Sequence, residues 1–332
     1  MQPCQVQAGS LLSAILFRPE GRGPFAGEAA GRMILLEILF SVILPIFLII
    51  GVGVVLDRSF RLDLPTLSKL NFFVFVPALV FVKLLDADLP AGTLVSVALF
   101  GLAHVLALFA LSVALFSRGA LRQHRAALSI GAVFYNVGNY GIPFTVLAFG
   151  DQQVAIVAML MVTQNLTNFT LGIWVAEGRR GTNRQRLSGL LRIPVVYVLA
   201  VALTMRALGL DLIPQVKQPL IYLGNGLIPI ALLTLGVQLS RCRLAQGMVP
   251  IGAVTLVRLV VSPLLAAGLV WLLGIGGVAG SVLIAAGGLP TAVNAFILAS
   301  EYDRDPEVVS QCVFWTTLLS PLTLAVVLML VR

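Results

Sequence analysis

Charged residues make up only 11% of the 332 residues, against about 25% in a soluble domain, and that shortage excludes a water-soluble globular fold. Cysteine and histidine are equally sparse. Cys4, Cys242 and Cys312 have neither metal-ligand nor disulfide spacing, and no His-rich tract accompanies them, so neither a metal site nor a disulfide framework is read here. Paired acids, a Ser-His pair and a His-Glu-x-x-His helix are all missing, which excludes the intramembrane enzymes that need them and leaves no catalytic residue or cofactor to assign. The net charge of +8 comes with no basic stripe interleaved with aromatics, so it does not indicate nucleic acid. No Asp or Glu stands near the centre of an apolar run. Asp57, Asp63, Asp86, Asp88, Asp151 and Asp211 lie at ends, and Glu37 is within the first turn of its run.

Apolar runs, by contrast, are abundant: 59% of the chain is hydrophobic and the mean hydropathy is +1.01. Runs of about 20 residues mean membrane helices, since barrel strands would be about half that length with alternating polarity. Ten spans are predicted, at 34–56, 64–85, 92–116, 126–149, 153–176, 188–208, 215–239, 248–273, 278–299 and 307–331. Residues 1–32 differ in composition and hold only the short apolar run Leu11 to Phe17. They are expected either to be disordered, or to be a non-native N-terminal extension ahead of a start at Met33. Arginines concentrate in alternate connectors, most of all in the basic 177–187 segment. Positive-inside logic therefore places that segment in the cytoplasm and both termini outside, with lipid as the surrounding partner.

The 177–187 segment also divides the chain into two five-span halves, 33–176 and 188–332. Asp151-Gln-Gln-Val opens the fifth span and Asp305-Pro-Glu-Val the tenth, as helix N-caps would. Pro45 is echoed by Pro194, Pro77 by Pro229, and Pro143 by Pro290. An odd number of spans per half forces opposite orientations, the inverted repeat of secondary transporters, in which corresponding broken helices mark a binding site near the midplane. The breaks are Tyr135-Asn-Val-Gly-Asn-Tyr-Gly-Ile-Pro143 in span four and Gly287-Gly-Leu-Pro-Thr-Ala-Val-Asn294 in span nine. Broken backbone at that depth is tolerated only where protein buries it or it lines a cavity.

Asn136, Asn139, Thr291 and Asn294 are read as neutral groups at a substrate or coupling site. Gly138, Gly141, Pro143, Gly287, Gly288 and Pro290 are read as shaping the crossover. Arg258 falls near the middle of span eight, where a charge is costly. Its partners are carbonyls at a break or an anionic substrate, unless it snorkels to the interface. His104, deep in span three, either couples a proton or packs through hydrogen bonds. Gln164, Asn165 and Asn168 in span five either face the crossing as ion or polar contacts, or join helices.

Asn136-x-Gly-Asn-x-Gly-x-Pro143, Leu289-Pro290 followed by Ala299-Ser-Glu-Tyr302 and Asp303, and Leu44-Pro45-Ile46-Phe47 together resemble the auxin efflux carrier family and its bacterial members, over residues 33–332. The resemblance implies an all-α polytopic membrane protein of the bacterial inner membrane, similar in fold to the bile acid sodium symporters. Helices four and nine would cross in a mobile, elevator-type transport domain. Spans one, two, six and seven would form a scaffold, which in that family often makes a homodimer. It implies small organic anions as substrates, mono- or dicarboxylates such as malonate or malate, with proton or sodium coupling left open. A sodium-coupled symporter and a non-transporting anion receptor are the rival readings. The short central segment departs from the long loop of the plant carriers, which argues against auxin as the physiological substrate. Cationic membrane charge with neutral amides, and no membrane carboxylate, independently suits an anion.

Overall fold

The computed structural model describes residues 33–87, 89–177, 194–242 and 248–331. The 1–32 segment and all but the first residue of the basic 177–187 segment, on which two of the expectations fall, lie outside the described residues. Among the described residues every regular element is helical. In chain order these are α1 (Met33–Phe60), α2 (Leu64–Leu85), α3 (Ala91–Phe116), α4 (Arg125–Val133), α5 (Val137–Phe149), α6 (Asp151–Ala176), α7 (Pro194–Ala207), α8 (Pro214–Ser240), α9 (Met248–Leu272), α10 (Gly277–Gly287), α11 (Val293–Glu301) and α12 (Pro306–Val331). Seven of them, α1, α2, α3, α6, α8, α9 and α12, are long and apolar enough to cross a membrane, and α5, α7 and α10 are shorter apolar helices. This is the make-up of a polytopic integral membrane protein.

Proline sets the local shape of several helices in one way. It lacks an N–H, and its ring collides with the carbonyl four residues back, so the turn before it widens. Five-residue π turns at Leu39–Ile43, Asn71–Phe75, Val137–Gly141 and Val257–Val261 each end two residues before a proline: Pro45, Pro77, Pro143 and Pro263. A further π turn, Asn168–Gly172, has no proline behind it. At the start of α2, the Asp63 carboxylate accepts from the Thr66 amide at 3.0 Å and from the Thr66 hydroxyl. These bonds hold it below the usual carboxylate range.

Helices α1 and α8 pack backbone to backbone. A Cβ on Gly53 would lie 2.4 Å from the Leu233 carbonyl oxygen, and one on Gly236 2.1 Å from the Ile50 carbonyl oxygen. Small residues permit this approach, which in lipid supplies dispersion contacts where the hydrophobic effect gives little drive. At the ends of the pair, Arg241 grips Asp57 through two bonds, Nη2 to Oδ1 at 2.6 Å and Nε to Oδ2 at 3.1 Å.

The two breaks cross. Tyr135 and Thr291 form an isolated antiparallel bridge, in which the Asn136 amide donates to the Pro290 carbonyl at 2.8 Å and the Ala292 amide to the Phe134 carbonyl at 2.9 Å. The last carbonyls of α4 and α10 would still be orphaned at this depth. Arg258, fully buried in the π turn of α9, satisfies both ends at once. Its Nη1 donates to Ala132 at 2.8 Å, Nη2 to Gly287 at 2.7 Å, and Nε to Leu289 at 3.2 Å. Ser262 accepts from Arg258 and donates to Gly287 at 2.7 Å, and Thr291 donates to Gly131 at 2.8 Å. Two helix C-terminal dipoles thus face one guanidinium, the favourable sign for a cation.

Two outcomes follow. Gly236→Leu should separate α1 from α8 and sharply lower the thermal midpoint in detergent, whereas Gly51→Leu, whose Cβ meets nothing within 4 Å, should leave it unchanged. Arg258→Met leaves the buried carbonyls of Ala132 and Leu289 unpaired at about 1–3 kcal/mol each, while Gly287 keeps Ser262, so its midpoint should fall by on the order of 10 °C. Arg258→Lys, which keeps the charge but not the fork, should fall in between, and an unchanged midpoint in the Met variant would show that the carbonyls do not depend on this residue.

Candidate functional site

On the other side of the crossing lies a cavity of about 80 Å³, room for roughly five to eight waters at 10–15 Å³ each. Its walls come from four places: Ser68, Asn71, Phe72 and Val76 of α2; Phe134 to Asn139 at the first break; Met161, Gln164, Asn165 and Asn168 of α6; and Ala292, Val293, Asn294 and Ile297 at the second break and the start of α11. None of these side chains is charged. The first turns of α5 and α11 both contribute, so two helix N-termini, where backbone amides lack partners, meet at the cavity. No side chain caps α11.

Asn136 is divided between structure and cavity. Its amide is spent on Pro290, its carbonyl accepts from the Gly141 amide at 2.9 Å, and its Oδ1 caps α5 by accepting from the Asn139 amide at 3.1 Å. Nδ2 remains, buried and without a hydrogen-bond partner. Both amide atoms of Gln164, Oδ1 of Asn168 and Oδ1 of Asn71 are in the same condition, although each of these residues is less than a tenth exposed. An unpartnered buried amide group costs about 1–3 kcal/mol, and several of them around one space mark a place where a polar ligand would supply the missing bonds.

The sequence candidates therefore divide into two sets. Asn136, Gly138, Asn139, Gln164, Asn165, Asn168 and Asn294 line the cavity. Arg258, Thr291, Gly141, Pro143, Gly287, Gly288, Pro290 and His104 do not; they stand in or behind the crossing. The Thr291 hydroxyl is committed to Gly131, and its amide donates to Thr316 at 3.0 Å. Gly287 lets α10 pass α9, since a Cβ there would lie 2.6 Å from Cβ of Ala266. His104 is sealed, with Nε2 3.2 Å from the Ser262 carbonyl and Nδ1 3.4 Å from the Tyr135 hydroxyl. The tautomer with hydrogen on Nε2 satisfies both contacts.

Tyr135 belongs to both sets. It is a lining residue of the cavity, and its ring lies 4.6 Å from the Arg258 guanidinium carbon, a cation–π contact. Sequence reading passed over Tyr135 as an individual residue, along with Ser68, Asn71, Phe72 and Met161. One signal for Asn71 was available: it follows Ser68 by three positions, so two polar side chains share a face of an apolar helix. Among the described residues no group of three His, Cys, Asp or Glu is gathered to hold a metal.

Comparison with known proteins agrees with this architecture. A family model described as membrane transport protein matches residues 38–328. The chain is 26% identical over 273 residues to an "Uncharacterized transporter" of Methanothermobacter thermautotrophicus, covering 79% of this chain and 87% of that protein. It is also 26% identical over 310 residues to a "Putative malonate transporter" of Rhizobium meliloti, covering 88% of this chain and 95% of that protein. With crossed breaks in the middle of the matched region, this chain belongs to the auxin efflux carrier family of membrane transport proteins.

Proposed function

We propose that the protein carries small organic anions, mono- or dicarboxylates of the malonate and malate class, across the bacterial inner membrane by alternating access. The observation that carries this reading is the polarity of the crossing. C-terminal carbonyls are consumed on the Arg258 side, while helix N-termini and the free Nδ2 of Asn136 face the cavity. Donors without a counter-cation suit a carboxylate, and Gln164 can offer a further donor from α6 and an acceptor to a second polar group. Asn294 and Asn139 complete the polar lining, and Arg258 and Thr291 support it from behind. The name of the Rhizobium meliloti relative is consistent with this substrate class.

Sodium coupling in the same fold is the rival. It would draw on carbonyls released at the breaks, yet those of Gly131, Ala132, Phe134, Tyr135, Asn136, Gly287, Leu289 and Pro290 all accept hydrogen bonds within the protein. That disfavours a sodium ion at the crossing.

The ten-span inverted repeat belongs to this proposal, and the helix pairings support it. Helix α1 packs on α8 and α7 on α2; α3 packs on α6 and α4, and α9 on α12 and α10. Exchanging the first five spans for the second turns each pair into its counterpart. In this reading α1, α2, α7 and α8 are the scaffold, and the other helices move past it as an elevator. The termini lie outside, and a second copy would join at the scaffold. The Lys83–Asp151 ion pair joins the end of α2 to the start of α6, away from the α2 and α6 residues that line the cavity, and would open in the alternate state.

Uptake of labelled malonate into proteoliposomes tests the proposal. Asn136→Ala should reduce uptake by about 10- to 100-fold, the value of one hydrogen bond to a charged group, while the protein remains folded. Replacing sodium with potassium should change nothing. Wild-type rates in the variant would overturn the site assignment, and sodium-dependent uptake would favour the rival. Counterflow of labelled substrate separates carriage from binding by a receptor.

A further inference from the structure

A second cavity, of about 740 Å³, lies at the opposite end of α4 from the crossing. It is framed by the turn before α4, the first residues of α9, and the segment from Asp303 into α12. The substrate reading above does not use it. Among the described residues its lining holds three carboxylates, Asp303, Asp305 and Glu307, and no Lys or Arg. Arg304 falls between two of these acids but is turned elsewhere, its Nε donating to the Ala176 carbonyl at 2.6 Å.

The hydrogen bonds within the lining leave it short of donors. His124 Nδ1 lies 3.1 Å from Asp305 Oδ2, and its Nε2 lies 3.1 Å from Gln123 Nε2. One tautomer satisfies both contacts, with His124 donating to Asp305 and accepting from Gln123. Besides the second Nε2 hydrogen of Gln123 and the Nε2 of Gln311, what remains are acceptors: the carboxylates of Asp303 and Glu307, the second oxygen of Asp305, and Oε1 of Gln311. The last is the independent sign of a ligand. Gln311 is 1% exposed, lines the cavity, and its Oε1 has no hydrogen-bond partner. A buried, unpartnered amide oxygen and three carboxylates in one lining call for N–H donors carried by a positive charge. The space is also far larger than one metal ion needs, and falls within the range of organic ligand sites.

We propose that this cavity is a binding site for a small organic cation carrying two or more N–H donor groups, of the di- or polyamine class. The occupant would bridge the turn before α4 to the starts of α9 and α12. The loop arginines place this end of the bundle on the cytoplasmic side, so the ligand would come from the cytoplasm.

Isothermal titration of putrescine into the full-length protein in neutral detergent tests the site. Saturable binding is expected, weakened by about tenfold or more in both Asp303→Asn/Glu307→Gln and Gln311→Leu. Magnesium at equal concentration, with the same charge but no N–H groups, should not displace putrescine. The double variant alters only exposed side chains, so it keeps the test informative if Gln311→Leu fails to fold. No saturable binding, equal binding by the double variant, or displacement by magnesium would each overturn the proposal.

Discussion

A hydrocarbon environment leaves no water to satisfy backbone amides and carbonyls, and a broken membrane helix exposes both kinds. The structure meets that constraint with one side chain. The Arg258 fork reaches carbonyls at Ala132, Gly287 and Leu289, so the C-terminal ends of α4 and α10 share a single cap. An isolated arginine here would be costly. Spread over helix ends of negative polarity, and stacked on Tyr135, its charge is balanced without any carboxylate. Removing the arginine would orphan the carbonyls, and removing the break would orphan the arginine, so the two features depend on each other.

Capping one side sets the chemistry of the other. With the C-terminal carbonyls consumed, the electrostatic character of the cavity comes from the N-termini of α5 and α11 and from amide side chains. Asn136 shows how economical the arrangement is. Its backbone holds the crossing, its Oδ1 starts the next helix, and its Nδ2 is left facing the cavity. Tyr135 lines the cavity and carries the buried charge against its ring, while Arg258 is not among the lining residues, so a ligand would not touch the guanidinium. A neutral site of amide donors and acceptors suits a cargo that must be released on the far side, since a direct ion pair at this depth would bind it more tightly.

Much of this was legible in the sequence because the anomalies were local. Two Asn, two Gly and a Pro inside one apolar run imply broken backbone wherever they occur, and the π turns before Pro45, Pro77, Pro143 and Pro263 follow from proline's missing donor. Arg258 was legible as a buried charge, but its partners were not. They lie 126, 29 and 31 residues away, and as main-chain carbonyls they carry no residue identity to read. Thr291 looked like a site residue by adjacency, whereas its hydroxyl bonds to Gly131 in the last turn of α4. Asn71 was missed for the converse reason: with Ser68 it makes only a short polar face on an apolar helix, and only the folding of α2 against the breaks brings it to the cavity.

The most direct measurement of whether an anion occupies the cleft between the two helix N-termini is an experimental density map of the protein purified with malonate. Carboxylate density is predicted within hydrogen-bonding distance of Asn136 Nδ2, between the first turns of α5 and α11 and out of contact with Arg258. Density in direct contact with the Arg258 guanidinium, or a cation coordinated by the carbonyls of the breaks, would contradict it.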